Sequence, residues 1–291
     1  MKKIFWLASY PRSGNTWMRA ILSSLFFTKN GKFEEKLLNH IPNFDNPSNY
    51  DFIKSLNVED YNSLHKLPII SKYWSEAQKR LEVDGKFAFY KTHSGNVTLD
   101  KKKYTDVKNV LGLIYLIRDP RDVVVSYSKF TNKSIEETIK SITSKICITW
   151  SGLPKKNPYP IILSSWEIHY KTWMMLDVPR LVIKYEDLLK NTKKTIEQIM
   201  GFFHKNYKLQ FENIDLKISN IVSSTDFKKL HDKEKGEGFL EAPYSFSKKG
   251  NSELFFRRGV DEQWKDELTK ENINIIEKCF EKTMKEFGYL K

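Results

Sequence analysis

Residues 4–17 read Ile-Phe-Trp-Leu-Ala-Ser-Tyr-Pro-Arg-Ser-Gly-Asn-Thr-Trp. The apolar run at residues 4–9 predicts a buried strand, and residues 10–15, which include a proline and a glycine, predict a turn. Apolar side chains then recur at helical spacing through residues 16–27, which predicts a helix. A strand, a loop and a helix in this order are typical of the opening of a nucleotide-binding α/β sheet.

The loop between this strand and this helix has the chemistry of an anion site. Backbone N–H groups in the first turn of a helix have no partner within the helix, and the helix dipole adds positive potential there. Gly14 allows a ligand to approach the backbone closely, while Arg12, Ser13 and Thr16 add a charge and hydroxyl donors. The loop therefore predicts the binding of a phosphate or a similar anion.

One interpretation of this loop is a Walker P-loop, which reads GxxxxGK[ST]. Ser9 stands at its first glycine position and Asn15 at its lysine position, so the group that reaches the β- and γ-phosphates is missing. This interpretation predicts a P-loop kinase or NTPase that uses ATP with Mg²⁺, and its match to the sequence is poor.

A second signal lies in residues 115–127. An apolar strand ends before Arg118, and Pro120 suits the first turn of a following helix. Ser126 falls two turns along that helix, so the guanidinium and the hydroxyl group are predicted to converge on one phosphate. An alternative is that Asp119 and Asp122 only cap the helix and pair with the neighbouring arginines, and both interpretations can hold together.

The rest of the chain predicts further strands and helices in a single domain, residues 1–291. Strands are predicted at 87–90, 111–117 and 180–184, helices at 120–130, 166–175, 187–203 and 262–287, irregular structure with helical fragments at 31–84, and a mobile surface loop at 232–252. This alternation predicts an α/β fold with a central, mostly parallel sheet flanked by helices.

Composition narrows the class of protein. Hydrophobic residues make up 40% of the 291, and Lys+Arg outnumber Asp+Glu by 49 to 36 for a net charge of +13. That charge favours an anionic partner or reflects a lysine-rich bias. The two cysteines, Cys147 and Cys279, have no disulfide or zinc spacing, which predicts reduced thiols and a cytoplasmic location. The N-terminal apolar run is too short for a signal peptide, and no stretch predicts stable membrane insertion.

Residues 10–17 resemble the YPKSGTTW loop of sulfotransferases, with Arg12 in place of Lys and Asn15 in place of Thr. Similar family motifs stand at 91–93 (KTH), 118–126 (an Arg and, eight positions later, a Ser), 185–188 (YEDL), 224–228 and 256–265. From residue 4 to about residue 280, the chain resembles the sulfotransferases of the cytosolic type, which depend on 3′-phosphoadenosine 5′-phosphosulfate (PAPS). The resemblance implies the P-loop NTPase-like sulfotransferase architecture.

The resemblance also implies a site for PAPS, or for its product adenosine 3′,5′-bisphosphate (PAP), without a metal. The loop would bind the 5′-phosphate, the arginines and Ser126 the 3′-phosphate, and the aromatic residues and Thr225 the adenine. The implied cofactor-binding residues are Arg12, Ser13, Gly14, Asn15, Thr16, Trp17, Arg118, Ser126, Tyr185, Thr225, Phe227, Arg257, Arg258 and Gly259.

The implied catalytic residues are His93, Lys91 and Arg12. The family carries its general base in the KTH motif, so His93 would take a proton from the acceptor in an in-line displacement. Lys91 and Arg12 would stabilise the charge of the transferring group and of the leaving oxygen. Arg12, unlike the usual Lys, stays protonated and can only hydrogen-bond and neutralise.

The acceptor is the part of the function that the sequence leaves open. The implied acceptor is a hydroxyl or amine of a small molecule, or of a lipid or glycan, and its pocket is expected from residues 31–84, 131–162 and 232–252. No nucleic-acid motif is present, although the charge admits a second alternative, a polyanion-binding protein without enzymatic activity. The family's KxxxTVxxxE dimer motif is not matched near residues 269–272, which leaves a monomer or a homodimer.

Overall fold

The computed structural model describes residues 3–56, 64–83, 87–153, 156–239, 254 and 256–291, with side chains omitted at 151–153 and 156–158. Its strands are β1 (Ile4–Ser9), β2 (Ala88–Thr92), β3 (Thr98–Leu99), β4 (Lys102–Lys103), β5 (Val110–Ile117), β6 (Ile148–Leu153), β7 (Lys156–Ile162) and β8 (Arg180–Lys184). Four of them form a sheet in the order β2-β1-β5-β8, and every neighbouring pair is parallel. The predicted parallel α/β sheet is confirmed.

Helices cover both faces of this sheet. Their bounds are α1 (Asn15–Phe27), α2 (Leu67–Ser71), α3 (Trp74–Arg80), α4 (Pro120–Thr131), α5 (Ile135–Thr143), α6 (Trp166–Met174), α7 (Tyr185–Lys190), α8 (Thr192–Tyr207), α9 (Ile214–Ser224), α10 (Phe227–Glu237), α11 (Trp264–Glu267) and α12 (Lys270–Glu286). Short 3-10 turns lie at Glu35–His40, Pro47–Tyr50 and Leu64–Lys66. None of the helices in the described ranges is long and apolar enough to cross a bilayer.

Both faces of the sheet are covered at β1, which lies between β2 and β5. In β1, Ile4, Trp6 and Ala8 pack into one core cluster, and Phe5 and Leu7 pack into the other. All five are fully buried. A strand that alternates its side chains between two covered faces reads as a continuous apolar run, which explains why this pattern is visible in the sequence.

Three predicted elements differ from the structure. The helix predicted at 187–203 is two helices, because Asn191 ends α7 and caps α8 with its side chain. The helix predicted at 262–287 is also two, because Leu268 is extended and Thr269 caps α12. Residues 232–237, predicted as a mobile loop, form the end of α10, while 240–253 lie outside the described residues.

Candidate active site

The groups singled out in the sequence follow the carboxyl ends of the four sheet strands. The phosphate loop follows β1, His93 follows β2, Arg118 follows β5 and Tyr185 follows β8. Carboxyl ends of parallel strands meet at one edge of a sheet, which is where α/β proteins bind ligands. The topology therefore gathers segments that lie far apart in the chain.

The phosphate loop approaches its neighbours too closely for a larger residue at its glycine. Gly14 has a φ of +90°, and a Cβ there would stand 2.8 Å from Cδ2 of Tyr185. Arg12 also lies in the left-handed region, with a φ of 66°. The helix α1 begins at Asn15 and has no side-chain cap bond at its N-terminus. Its first N–H groups are thus directed towards the loop, as an anion site requires.

Arginine side chains converge on this loop. The Nε of Arg12 donates to Oγ of Ser126 at 3.1 Å, and Arg118 donates to the Arg12 carbonyl at 3.0 Å. Burial, together with the charges of Arg118 and Arg257, lowers the pKa of Arg12 to about 10. Arg12 remains positive at neutral pH, so mutually repelling cations are held together where a polyanion would neutralise them.

Buried polar atoms without partners add to this picture. Four buried side-chain atoms have no hydrogen-bond partner within the described parts of the chain. They are Oγ of Ser13, Nε of Arg118, Oδ1 of Asn15 and Nδ2 of Asn109. Unpaired buried donors are costly and call for a ligand or an ordered water. Those of Ser13 and Arg118 fit an anionic oxygen. Asn15 instead turns its amide back to the Leu7 carbonyl and the Ser9 hydroxyl.

The segment after residue 256 contacts the guanidinium of Arg118. The Arg118 guanidinium donates to the Val260 carbonyl at 3.0 Å and lies 3.9 Å from the Asp122 carboxylate. Asp119 caps α4 and pairs with Arg121. The capping interpretation is confirmed for Asp119, whereas Asp122 accepts from the backbone N–H groups of Glu262 and Trp264.

Arg257 and Gly259 of this segment face the site, and Arg258 does not. Arg257 donates to Gln263 and lowers the pKa of Arg12, after burial and Arg118. Gly259 has a φ of +60°, and a Cβ there would stand 2.1 Å from Cδ1 of Phe227. Arg258 is exposed, and its guanidinium lies 3.7 Å from the Glu267 carboxylate. Its side chain therefore does not lie with those of the other arginines.

Aromatic rings lie beside the phosphate loop. The indole N–H of Trp17 donates to the Thr225 carbonyl at 2.8 Å, and its ring centroid is 5.7 Å from that of Phe227 and 6.2 Å from that of Tyr185. The Arg118 guanidinium lies 4.2 Å over the Tyr185 ring. A planar base bound next to the phosphates would meet these rings.

His93 is held in the form of a neutral base. Its Nδ1 lies 2.9 Å from the Ser9 carbonyl, which accepts and therefore fixes the proton on Nδ1 and the lone pair on Nε2. Burial, the Lys91 charge, His169 and Arg12 lower the pKa of His93 well below its usual value. Lys91 itself is half-buried in β2, and its backbone bonds to Pro42 and Phe44.

Two residues that hold His93 are not predicted as site residues by the sequence. Asp45 accepts from the His93 backbone N–H at 2.9 Å, and it lies in a stretch predicted only as irregular. His169 sits 3.0 Å from the His93 carbonyl, on a helix for which the sequence predicts no part in the site. No local pattern links either residue to His93, because the contacts span 48 and 76 positions.

The low pKa of His169 should make the free energy of unfolding depend on pH. Burial lowers its pKa to about 4, whereas an unfolded histidine titrates near about 6.5. The unfolded chain then binds the extra proton, so stability is lost as pH falls from about 6.5 to about 4, by about 3 kcal/mol. Urea unfolding of the wild type and of His169→Gln across this range measures the effect. We expect a flatter pH dependence in the variant, and an equally steep one would contradict the assignment.

Comparison with known proteins gives one consistent match. A family model described as a sulfotransferase domain matches residues 2–288. The chain is 25% identical to flavonol 3-sulfotransferase of Flaveria bidentis over 96% of this chain and 80% of that protein. It is 26% identical to 3-alpha-hydroxysteroid sulfotransferase of Cavia porcellus over 95% of this chain and 82% of that protein.

Solved structures agree with this in fold. Mouse sulfotransferase SULT7A1 complexed with PAP superposes with a TM-score of 0.59 at 18% identity, over 98% of this chain and 85% of that one. Retinol dehydratase in a complex with retinol and PAP superposes with a TM-score of 0.59 at 19% identity, over 98% and 82%. Within the described residues, no group of three or more His, Cys, Asp or Glu side chains is placed to hold a metal ion.

Proposed function

The chain belongs to the sulfotransferase family and transfers a sulfuryl group from PAPS, and we propose that His93 is its general base and a small-molecule hydroxyl or amine its acceptor. Bound PAPS supplies a sulfuryl group attached to a phosphate that leaves as PAP. The residues of this chain would bind and orient that donor, neutralise its charge and take up the proton of the acceptor.

The donor site rests on the anion-binding groups at the sheet edge. Ser13, Arg118 and the N-terminus of α1 would hold phosphate oxygens, because Oγ of Ser13 and Nε of Arg118 are buried without a hydrogen-bond partner among the described residues and α1 has no side-chain cap. The Ser126 hydroxyl, which accepts from Arg12, and the Arg257 guanidinium, whose charge lowers the pKa of Arg12, would add a neutral donor and a cation to the same site. The contacts of Trp17 with Tyr185, Thr225 and Phe227 support the proposal that these residues would bind the adenine.

The transfer step needs a base and a cation at the same edge. Nε2 of His93 would accept the proton of the acceptor as its oxygen or nitrogen attacks, and the depressed pKa of His93 keeps this nitrogen unprotonated at neutral pH. Arg12 and Lys91 would hold the negative charge that moves to the leaving oxygen. The single observation that carries this proposal is that Nδ1 of His93 donates to the carbonyl of Ser9, the last residue of β1, at 2.9 Å, which places the lone pair of Nε2 beside the phosphate loop.

The proposed acceptor class comes from the relatives. Their names specify a flavonol and a hydroxysteroid, and another relative is an amine sulfotransferase of Oryctolagus cuniculus, 23% identical over 96% of this chain and 80% of that protein. We expect a hydroxylated or amino-bearing small molecule for this chain. A panel of phenols, sterols and aryl amines, with PAP release as the readout, tests the expectation.

The relatives also include a cytosolic sulfotransferase of Arabidopsis thaliana, 22% identical over 97% of this chain and 78% of that protein, which favours a cytoplasmic location.

A thermal titration tests the donor site directly. PAP at 100 times its Kd should stabilise the protein by about 2.7 kcal/mol, which raises Tm by about a few degrees. Arg118→Lys keeps the charge but loses the planar fork that reaches Arg12, Val260 and the ligand, so PAP should bind on the order of tenfold to a hundredfold more weakly.

ADP and ATP with Mg²⁺ are the matched ligands for this titration. Neither should shift Tm as PAP does. A shift with ATP and Mg²⁺ and none with PAP would favour the kinase alternative and contradict the donor-site assignment.

A further inference from the structure

We propose that Asp45 is a positioning residue for sulfuryl transfer: its carboxyl group holds the turn at residues 92–94 so that Nε2 of His93 stays directed towards the acceptor. Asp45 would act on the reaction through the position of His93. The inference rests on the proposed role of His93 as the base.

The Asp45 carboxyl group gathers consecutive residues of this turn. One oxygen, Oδ2, is bonded to the His93 backbone N–H and the Thr92 hydroxyl, each at 2.9 Å. The other, Oδ1, is bonded to the Ser94 hydroxyl at 3.0 Å and the Tyr104 hydroxyl at 2.8 Å. Asp45 is 1% exposed, so these bonds are shielded from water and fix the backbone on each side of His93.

Asp45 is itself held rigidly against β2. The Lys91 N–H donates to the Pro42 carbonyl, and the Phe44 N–H donates to the Lys91 carbonyl, both at 2.9 Å. Residues 42–44 therefore run parallel to β2 and form a short bridge with it. This places Asp45 at the end of that strand. A rigid support of this kind is what preorganises a catalytic side chain.

The opposite side of His93 is fixed by a second buried arrangement. The Tyr115 hydroxyl donates to Nδ1 of His169 at 2.7 Å, which leaves the proton of His169 on Nε2, where it is donated to the His93 carbonyl at 3.0 Å. With Nδ1 of His93 donating to Ser9, the backbone N–H, the backbone carbonyl and one ring nitrogen all have fixed partners. The remaining ring nitrogen, Nε2, is the one that the reaction uses.

The chemistry of the amide group allows a conservative variant. In Asp45→Asn, the amide oxygen accepts from the His93 N–H, while the amide nitrogen donates to the hydroxyls of Ser94 and Tyr104, which rotate to accept. Asp45→Ala removes every one of these bonds and leaves the His93 N–H without its partner. The pair separates loss of positioning from the mere change of charge.

The experiment is a double-mutant cycle with His93. Asp45→Ala should lower kcat on the order of tenfold to a hundredfold, since a small misplacement of a reacting group costs about that much, while the Kd for PAP stays within about twofold. Asp45→Asn should recover most of the lost kcat. In a His93→Ala background, Asp45→Ala should lower kcat no further, because the group that it positions is gone.

Thr283→Val is the matched control for stability. Thr283 is fully buried on α12 and donates to Glu167. It should lower Tm without lowering kcat. If Asp45→Ala folds poorly, Asp45→Ser, too short to reach the His93 N–H, should show the same loss of kcat with PAP bound normally.

The outcomes separate the two proposals. An unchanged kcat in Asp45→Ala, an equal loss in both backgrounds, or no recovery in Asp45→Asn would overturn the positioning role. A fully active His93→Ala would instead overturn the proposed base.

Discussion

Replacing His93 with alanine should lower turnover by about 10²–10⁴-fold, the usual contribution of a general base, while PAP binds as tightly as before. The reason is geometric. The groups proposed to bind the donor phosphates belong to the β1 loop, α4 and the segment after residue 256, whereas His93 follows β2 and bonds through Nδ1 to Ser9. The variant therefore removes Nε2 and leaves the anion site intact.

Single-turnover rates and a PAP titration measure these two consequences separately. His204→Ala is a suitable control, because His204 is exposed on α8 and should leave both quantities unchanged. Normal turnover in His93→Ala would move the base elsewhere. A parallel loss of turnover and of PAP affinity would assign His93 to donor binding instead.

Replacing Arg12 with alanine should lower kcat by about 10²–10³-fold, as the loss of a preorganised charge at a reacting oxygen does. Arg12→Lys should retain most of the activity, because a lysine keeps the positive charge at this position. The Arg12 carbonyl, which accepts from Arg118, belongs to the backbone and survives both changes.

Arg12→Met separates the charge from the packing. Its long apolar side chain can still cover Phe130, over whose ring the Arg12 guanidinium lies at 4.8 Å, but it carries no charge. We expect Arg12→Met to be as slow as Arg12→Ala when kcat is measured at saturating PAPS. Full activity in either variant would remove Arg12 from the transfer step.

The sheet and the phosphate loop could be predicted because their signals are local. The strand at Ile4–Ser9 is apolar up to Ala8 and buried throughout, and the strand Val110–Ile117 begins one residue before its prediction. Gly14 and Pro120 mark the turn and the helix start through their backbone preferences. The sequence also predicts Asp119 as a helix cap, and its side chain accepts from the backbone N–H of Arg121.

The support of the base could not be predicted in the same way. Asp45 and His169 act through contacts that join distant segments, and nothing near either residue in the sequence marks the partner. The hairpin of β6 and β7 was missed because residues 148–162 contain prolines and polar residues and lack strict alternation. The loop predicted at 232–252 was partly wrong: glycines, a proline and charges favoured a loop there, but α10 continues to Glu237, and its Leu230 and Glu234 are buried.

The way in which Arg118 is tied down has a consequence for folding. Its guanidinium joins the Arg12 carbonyl and the Val260 carbonyl, contacts that span 106 and 142 positions. A ligand that requires these contacts can bind only when both the first strand and the segment near residue 260 are in place, so it opposes every partial opening that separates them. Backbone amides of β5, which contribute no side chain to the donor site, should therefore exchange with deuterium more slowly once PAP is bound.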